Sequence, residues 1–432
     1  MVVTKHVSEW GIVPNKKKTH PATPKQVKYP LDFKHGGLTL DAKKRHPFFD
    51  EFRELIYALL LFGRFPFYKD AHGNVKYSMF SLGGLYWVVW YCTIMYAASG
   101  VLIESFAKLF AAARFDSAIG QARNVIIIVN IILLPLSHLG EWQKLARYIN
   151  EWDEFLVTYK YMTGNDLKIK LKAYVYTVLT VIPATSLLAT YAEQETMVIR
   201  NVLHRILYIM LFSGTSFVSM FWIMSHVVVQ RIAVYLKSEI LKLGANSKSR
   251  SYISAIEVHR LRYLWARATS LLHKSGECLG LSMMIISLTN AAGFVIAAYG
   301  VIVGVMEFNQ VAIAHHSVNV IAGIAYIFAG TESGYQSTQK MGDEIMAALS
   351  AIDLSGINEV TFREINMFLQ IMSLNPPIVT CAGVVTISRS FLTSVFSNTV
   401  TYLIVLLQFK TSDVEFKCNN ETLTSFLQKP AD

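Results

Sequence analysis

The side chains best suited to do chemistry lie in the last apolar run of the chain, residues 390–409. Ser390, Ser394, Ser397, Thr401, Ile404/Val405 and Gln408 recur at intervals of three or four, the spacing that places residues on one helical face. Hydroxyls, then an apolar stretch, then an amide make a face that could line water, narrow it and meet an ion at its exit. Small hydroxyl residues equally suit close packing between membrane helices, and spacing alone leaves both readings open. A looser group, Tyr191, Tyr208, Tyr299, His315, His316 and Asn319, falls near the outer halves of other apolar runs and could converge on a pocket. Polar groups inside a membrane need partners and often mark function, although tyrosine and histidine also settle at the interface. Enzyme chemistry finds no comparable grouping: HExxH and GxSxG are absent, and no apolar run carries a carboxylate pair. The four cysteines, Cys92, Cys278, Cys381 and Cys418, form no CxxC pair and have no histidine at metal spacing. No metal, cofactor or disulfide scaffold is therefore expected.

Composition says what must hold these side chains. The chain has 432 residues, 53% hydrophobic and 16% charged, with mean hydropathy +0.37. Soluble domains carry nearer a quarter charged residues, so the long uncharged runs require lipid as solvent. The net charge of +10, from 40 Lys+Arg against 30 Asp+Glu, lies between the apolar runs and not on a polar face, which argues against nucleic acid as a partner. The N-terminus is polar and basic without an apolar signal core, so the first span must direct insertion.

A bilayer core of roughly 30 Å needs about 20 apolar helical residues. Seven runs qualify: 79–106, 124–140, 173–192, 206–230, 278–306, 309–331 and 390–409. The run 55–62 is too short to span and reads as an interfacial or packed cytosolic helix. The N-terminal segment and the loops after spans two, four and six hold 31 of the 40 Lys+Arg, against 8 on the other side. That split places the N-terminus inside and the C-terminus outside, the inverse of a G-protein-coupled receptor. Asn420-Glu421-Thr422, the one N-x-[ST] sequon, falls on the predicted outside and makes Asn420 a glycosylation candidate.

Two inside segments are too long to be turns. Ile253, Ile256, Leu261, Leu264, Trp265, Ala268, Leu271 and Leu272 form one helical stripe, with Arg260, Arg262 and Arg267 elsewhere around the turn. Phe362, Ile365, Phe368, Leu369 and Met372 form a second, stopped by Asn375-Pro376-Pro377, which forces an extended linker. Several spans are expected to continue into the cytosol and pack there. The division that follows is a cytosolic segment 1–78, six spans with cytosolic extensions at 79–331, a cytosolic helix and linker at 332–389, a last span at 390–409 and a short outer tail at 410–432.

The last span ends Thr401-Tyr402-Leu403-Ile404-Val405-Leu406-Leu407-Gln408-Phe409. This resembles the TYhhhhhQF signature of insect gustatory receptors, where h is apolar, at all four fixed positions. The resemblance extends to seven spans, an inside N-terminus, a helix before the last span and little chain after it. It implies an all-α, ligand-gated, non-selective cation channel, similar in plan to insect odorant receptors, in the plasma membrane of chemosensory neurons. Four identical or related subunits would surround one pore, with Thr401, Ile404, Val405, Gln408 and Phe409 at pore and gate and Ser390, Ser394 and Ser397 on the pore face. The remaining partners would be the bilayer, permeant cations and a small tastant or gas. Sugar-sensing members carry Glu where this chain has Leu403. Carbon dioxide is the preferred ligand, with a second related subunit then expected, and bitter compounds stay open. The rivals fare worse. A G-protein-coupled-type receptor should show Asp/Glu-Arg-Tyr and Asn-Pro-x-x-Tyr, both absent, and a transporter should show internal repeats.

Overall fold

In the computed structural model the described residues are 46–112, 115–192, 202–248, 254–355 and 357–427, with the side chains of 413–427 and a few others outside that description. Residues 1–45, most of the predicted cytosolic N-terminal segment, lie outside it. Ten helices occur among the described residues: α1 Pro47–Leu61, α2 Leu82–Phe110, α3 Phe115–Thr163, α4 Lys172–Ala192, α5 Val202–Lys248, α6 Ala255–Met306, α7 Gln310–Met341, α8 Asp343–Ser350, α9 Glu359–Leu374 and α10 Arg389–Leu427. Two small antiparallel hairpins, Phe67–Lys69 with Val75–Tyr77 (β1, β2) and Thr380–Cys381 with Val385–Thr386 (β3, β4), complete the structure.

Each of the seven predicted spans falls in a helix, and six of these helices are long and apolar enough to cross a membrane. The third, α4, has a described apolar part of only Lys172–Leu188. Helix ends differ from hydropathy ends because charge stops an apolar run without stopping a helix. α3 runs 49 residues and α6 runs 52, so the predicted cytosolic stripe and the fifth span are one continuous helix. α10 likewise runs on to Leu427, where a short tail was expected, because no Gly or Pro interrupts residues 410–427.

The extensions pack on one another and share one core with the adjoining spans. α1 is a packed helix, burying Phe48, Phe52, Leu55 and Leu59. Its Phe48 stacks on Trp152 of α3 at 5.2 Å, and Phe52 meets Phe221 of α5 edge-on at 5.2 Å. Lacking a side-chain cap of its own, its first turn is capped from a distance. Asp153 Oδ1 accepts from the amides of Phe48 (2.8 Å) and Phe49 (3.3 Å), and Oδ2 lies 3.1 Å from His46 Nδ1. Trp265 Nε1 of α6 donates to Met341 O at 2.7 Å, and Lys237 of α5 pairs with Glu344 of α8 at 2.8 Å.

The two predicted stripes need correction in detail. Ile256 is 71% exposed and Phe362 42% exposed, whereas Arg262 is buried at 6%. Arg262 takes the inward position because Glu364 of α9 lies 3.0 Å from its Nη2, giving the buried cation its counter-charge. Ile253 lies outside the described residues. After Asn375 the proline pair does give an extended linker, which then folds back as the β3–β4 hairpin.

Candidate functional site

α10 is held by its own chain on one face only. Thr399 and Lys410 are buried on that face, while Ser394, Ser397, Thr401, Ile404, Val405 and Gln408 are exposed on the other. Exposure alone would mean lipid contact, as on α2, whose exposed face is mainly apolar (Leu85, Val88, Val89, Ile103) with Thr93 and Ser99 among it. The uncovered face of α10 is more mixed: Ser394, Ser397, Thr401 and Gln408 share it with Val400, Ile404 and Val405, a polar stripe poorly matched to lipid. Its hydroxyl protons are already used within the helix: Ser394 Oγ donates to Ser390 O at 2.9 Å and Thr401 Oγ1 to Ser397 O at 3.2 Å. What faces outward is therefore oxygen lone pairs, the group that suits a cation. Ser390 sits at the helix start, its hydroxyl 2.7 Å from that of Ser388. Ile404 and Val405 form the apolar step before Gln408. Phe409 is 59% exposed and also lies 5.8 Å from the ring of Phe115 on α3.

The start of α10 is placed by the linker. Ala382 N donates to Gly276 O of α6 at 3.3 Å. A β-carbon at Gly276 would lie 2.1 Å from Thr380 O, and one at Gly280 2.2 Å from Ala382 N. Only glycine lets the hairpin backbone approach α6 this closely. On α6 at the same level, Glu141 of α3 accepts from the amides of Leu281 and Ser282, both at 3.0 Å, and from the Ser282 hydroxyl. An undisturbed helix directs those amides to carbonyls four residues back, so α3 and the linker both engage one turn of α6. Burial, with Glu141 nearby, pushes the Cys381 thiol up to about 12. Arg389 then pairs with Glu332 of α7 at 2.8 Å and lies over the Tyr335 ring at 4.4 Å.

The second group of predicted residues divides. His315 and His316 lie edge to face at 5.1 Å, and Asn319 Nδ2 donates to His315 O at 3.2 Å. The His316 ring lies against Gly300 of α6, where a β-carbon would come within 2.6 Å. Tyr299, the neighbouring residue, is buried and meets Phe115 at 6.1 Å. An open apolar groove of about 350 Å³ follows the same α6–α7 seam, lined by Ala298, Val301, Ile302, Ser317, Val320 and Ile321. Tyr208 stacks on Phe212 at 6.4 Å, both on α5. The Tyr191 side chain lies outside the described residues, as does that of Asn420, whose backbone is helical. Among the described residues no His/Cys/Asp/Glu group could hold a metal ion.

Sequence reasoning missed Glu141, Asp153 and the Gly276/Gly280 pair. A carboxylate directly bordering a predicted span, as Glu141 borders 124–140, is the one local signal that pointed there.

A long helical bundle of this kind, with extended inner helices and one polar-faced helix left uncovered, is a multi-pass membrane protein. The chain belongs to the 7tm chemosensory receptor family, whose profile matches residues 52–413. It is 22% identical over 365 residues to gustatory and odorant receptor 24 of Anopheles gambiae, covering 84% of this chain and 79% of that protein. It is 22% identical over 395 residues to gustatory and odorant receptor 21a of Drosophila melanogaster, covering 87% and 83%. Among solved structures, the insect olfactory receptor OR5 from Machilis hrabei superposes with TM-score 0.61 at 12% identity, over 83% of this chain and 98% of that one. The same receptor in complex with eugenol gives 0.60 at 14% identity, over 83% and 97%. The chain is thus a chemosensory receptor and not an enzyme.

Proposed function

We propose that this receptor is a ligand-gated cation channel in which α10 from each of four identical or related subunits lines one pore. The observation that carries this reading is the row of Ser394, Ser397, Thr401 and Gln408 on the face of α10 that the chain's own helices leave uncovered, a polar stripe poorly matched to lipid. Water and the same face of neighbouring copies suit it better. Thr401 presents oxygen along the path, Ile404 and Val405 form the ring that excludes water when the helices close, and Gln408 meets the ion at the mouth. The N-terminus lies inside and the C-terminus outside, supported by the 31-to-8 division of Lys+Arg. Its place is the plasma membrane of chemosensory neurons.

The ligand is a small molecule that enters the α6–α7 seam beside Tyr299, His315, His316 and Asn319. Support comes from the clustering of these side chains and from eugenol in the related fold. Carbon dioxide, bitter compounds and sugars make the panel to be screened. Carbon dioxide stands first, tested with and without a second related subunit. Leu403 argues against sugars. The deciding measurement is patch-clamp recording with current normalised to surface protein. Gln408→Ala should shift reversal potential or conductance, and Val405→Ala should raise ligand-independent current because a smaller apolar ring wets more easily. Unaltered permeation and silent baselines in both variants would remove α10 as the pore.

A further inference from the structure

The pore helix meets the rest of its chain along one face, and polar contacts fix it at its two ends. At the inner end the tie is backbone against backbone, Ala382 on Gly276 and Gly280, reinforced by Arg389–Glu332. Such a dock has no side chain to rearrange, so it moves with α6 as one piece. Between the ends the contact is side-chain packing, with Phe396 edge-on to Phe294 of α6 at 5.8 Å and Thr399 buried. At the outer end two contacts return it to the bundle. Phe409 packs on Phe115, which in turn meets Tyr299 of α6. Lys410 Nζ lies 3.0 Å from Glu307 Oε1, on the residue that caps the outer end of α6.

The side on which these contacts fall gives them a direction. Lys410 is buried at 8%, on the face of α10 opposite Thr401, Ile404 and Gln408. A bond from that face pulls the helix end toward α6 and away from whatever Gln408 faces. We propose that Glu307 is a positioning residue of the pore: through Lys410 it holds the outer end of α10 back against α6, and so carries movement of α6 and α7 into the width of the pore mouth. The inference rests on the reading of α10 as the pore helix. Glu307 lies at the end of the helix that carries Tyr299 and Gly300, and α7, with its two histidines, begins three residues later at Gln310. A ligand that shifts this seam therefore moves the anchor directly. Breaking the pair lets four α10 ends tip toward one another, which favours the closed mouth.

The test needs no ligand and reads position directly. In full-length protein in cell membranes, with Cys92 and Cys418 replaced by serine, Gln408→Cys is oxidised with copper phenanthroline and disulfide-linked dimers are followed over time. Glu307→Gln should raise the crosslinking rate about fivefold, the change that losing one partly exposed ion pair carries. Lys410→Gln should do the same. Exchanging the charges, Glu307→Lys with Lys410→Glu, should restore the original rate, which a purely structural defect would not allow. Equal rates in the wild-type pair and both single variants would overturn the positioning role while leaving the pore reading intact. Absence of any crosslink in all four would mean that residue 408 never approaches a second copy, and both readings would fall.

Discussion

Gly276→Ala tests whether the hairpin seats the pore helix, and the structure fixes the size of the effect. The new β-carbon would lie 2.1 Å from Thr380 O, where ordinary contact begins at 3.4 Å. Backbone faces it, so no rotamer change can relieve the clash, and the hairpin must retreat by about 1.3 Å. The hydrogen bond from Ala382 N to Gly276 O, already 3.3 Å, is then lost. Losing that bond costs about 1 kcal/mol, and overpacking adds about 1–3 kcal/mol, so the dock weakens by about 2–4 kcal/mol. Cys381 reports the event. At pH 8 a thiol held at about 12 is about one part in ten thousand thiolate, whereas an exposed thiol near 8.5 is about a quarter thiolate. With the other three cysteines replaced by alanine, maleimide labelling of Cys381 should accelerate at least tenfold in Gly276→Ala. The thermal midpoint should fall as well. Gly293→Ala on the same helix is the control: its β-carbon meets nothing within 4 Å, and helix propensity predicts a neutral or slightly stabilised protein. Labelling and midpoint both unchanged in Gly276→Ala would refute the docking argument.

Other predictions follow from the same contacts. Asp153→Ala leaves the buried amides of Phe48 and Phe49 without their acceptor, and should cost about 2–6 kcal/mol at about 1–3 kcal/mol per orphaned group. Thermal unfolding and protease sensitivity of α1 are the measurements, and an unchanged midpoint speaks against distant capping. Ala substitution of His315 or His316 should shift agonist potency and leave single-channel conductance alone, because both lie on the α6–α7 seam and not on α10. Wild-type dose–response curves in both would place the pocket elsewhere. For topology, an N-terminal epitope should stain only after permeabilisation and Asn420 should accept glycan. Surface labelling of the N-terminal tag on intact cells would reverse the orientation.

The sequence by itself determined what depends on neighbours within a few turns. Seven apolar runs must be helices because lipid offers no partner for a free backbone amide, and each falls in one. The proline pair after Asn375 ended α9 for an equally local reason, a missing amide and a blocked turn. The face of Thr401, Ile404 and Gln408 was legible from spacing, since three to four residues is one turn wherever the helix lies. Tertiary structure decided what depends on residues far apart in the chain. Arg262 points inward and Ile256 outward because Glu364, 102 residues away, supplies a charge that hydropathy cannot register. Glu141 became the acceptor for two amides of α6 only when folding brought residues 140 positions apart together. Gly276 looked like any helix glycine until a hairpin backbone came to lie on it. The Glu307–Lys410 pair joins two stretches that sequence analysis treated as a turn and a tail. Burial pattern sets which segments are helices, but partner geometry sets which side chains those helices turn toward one another.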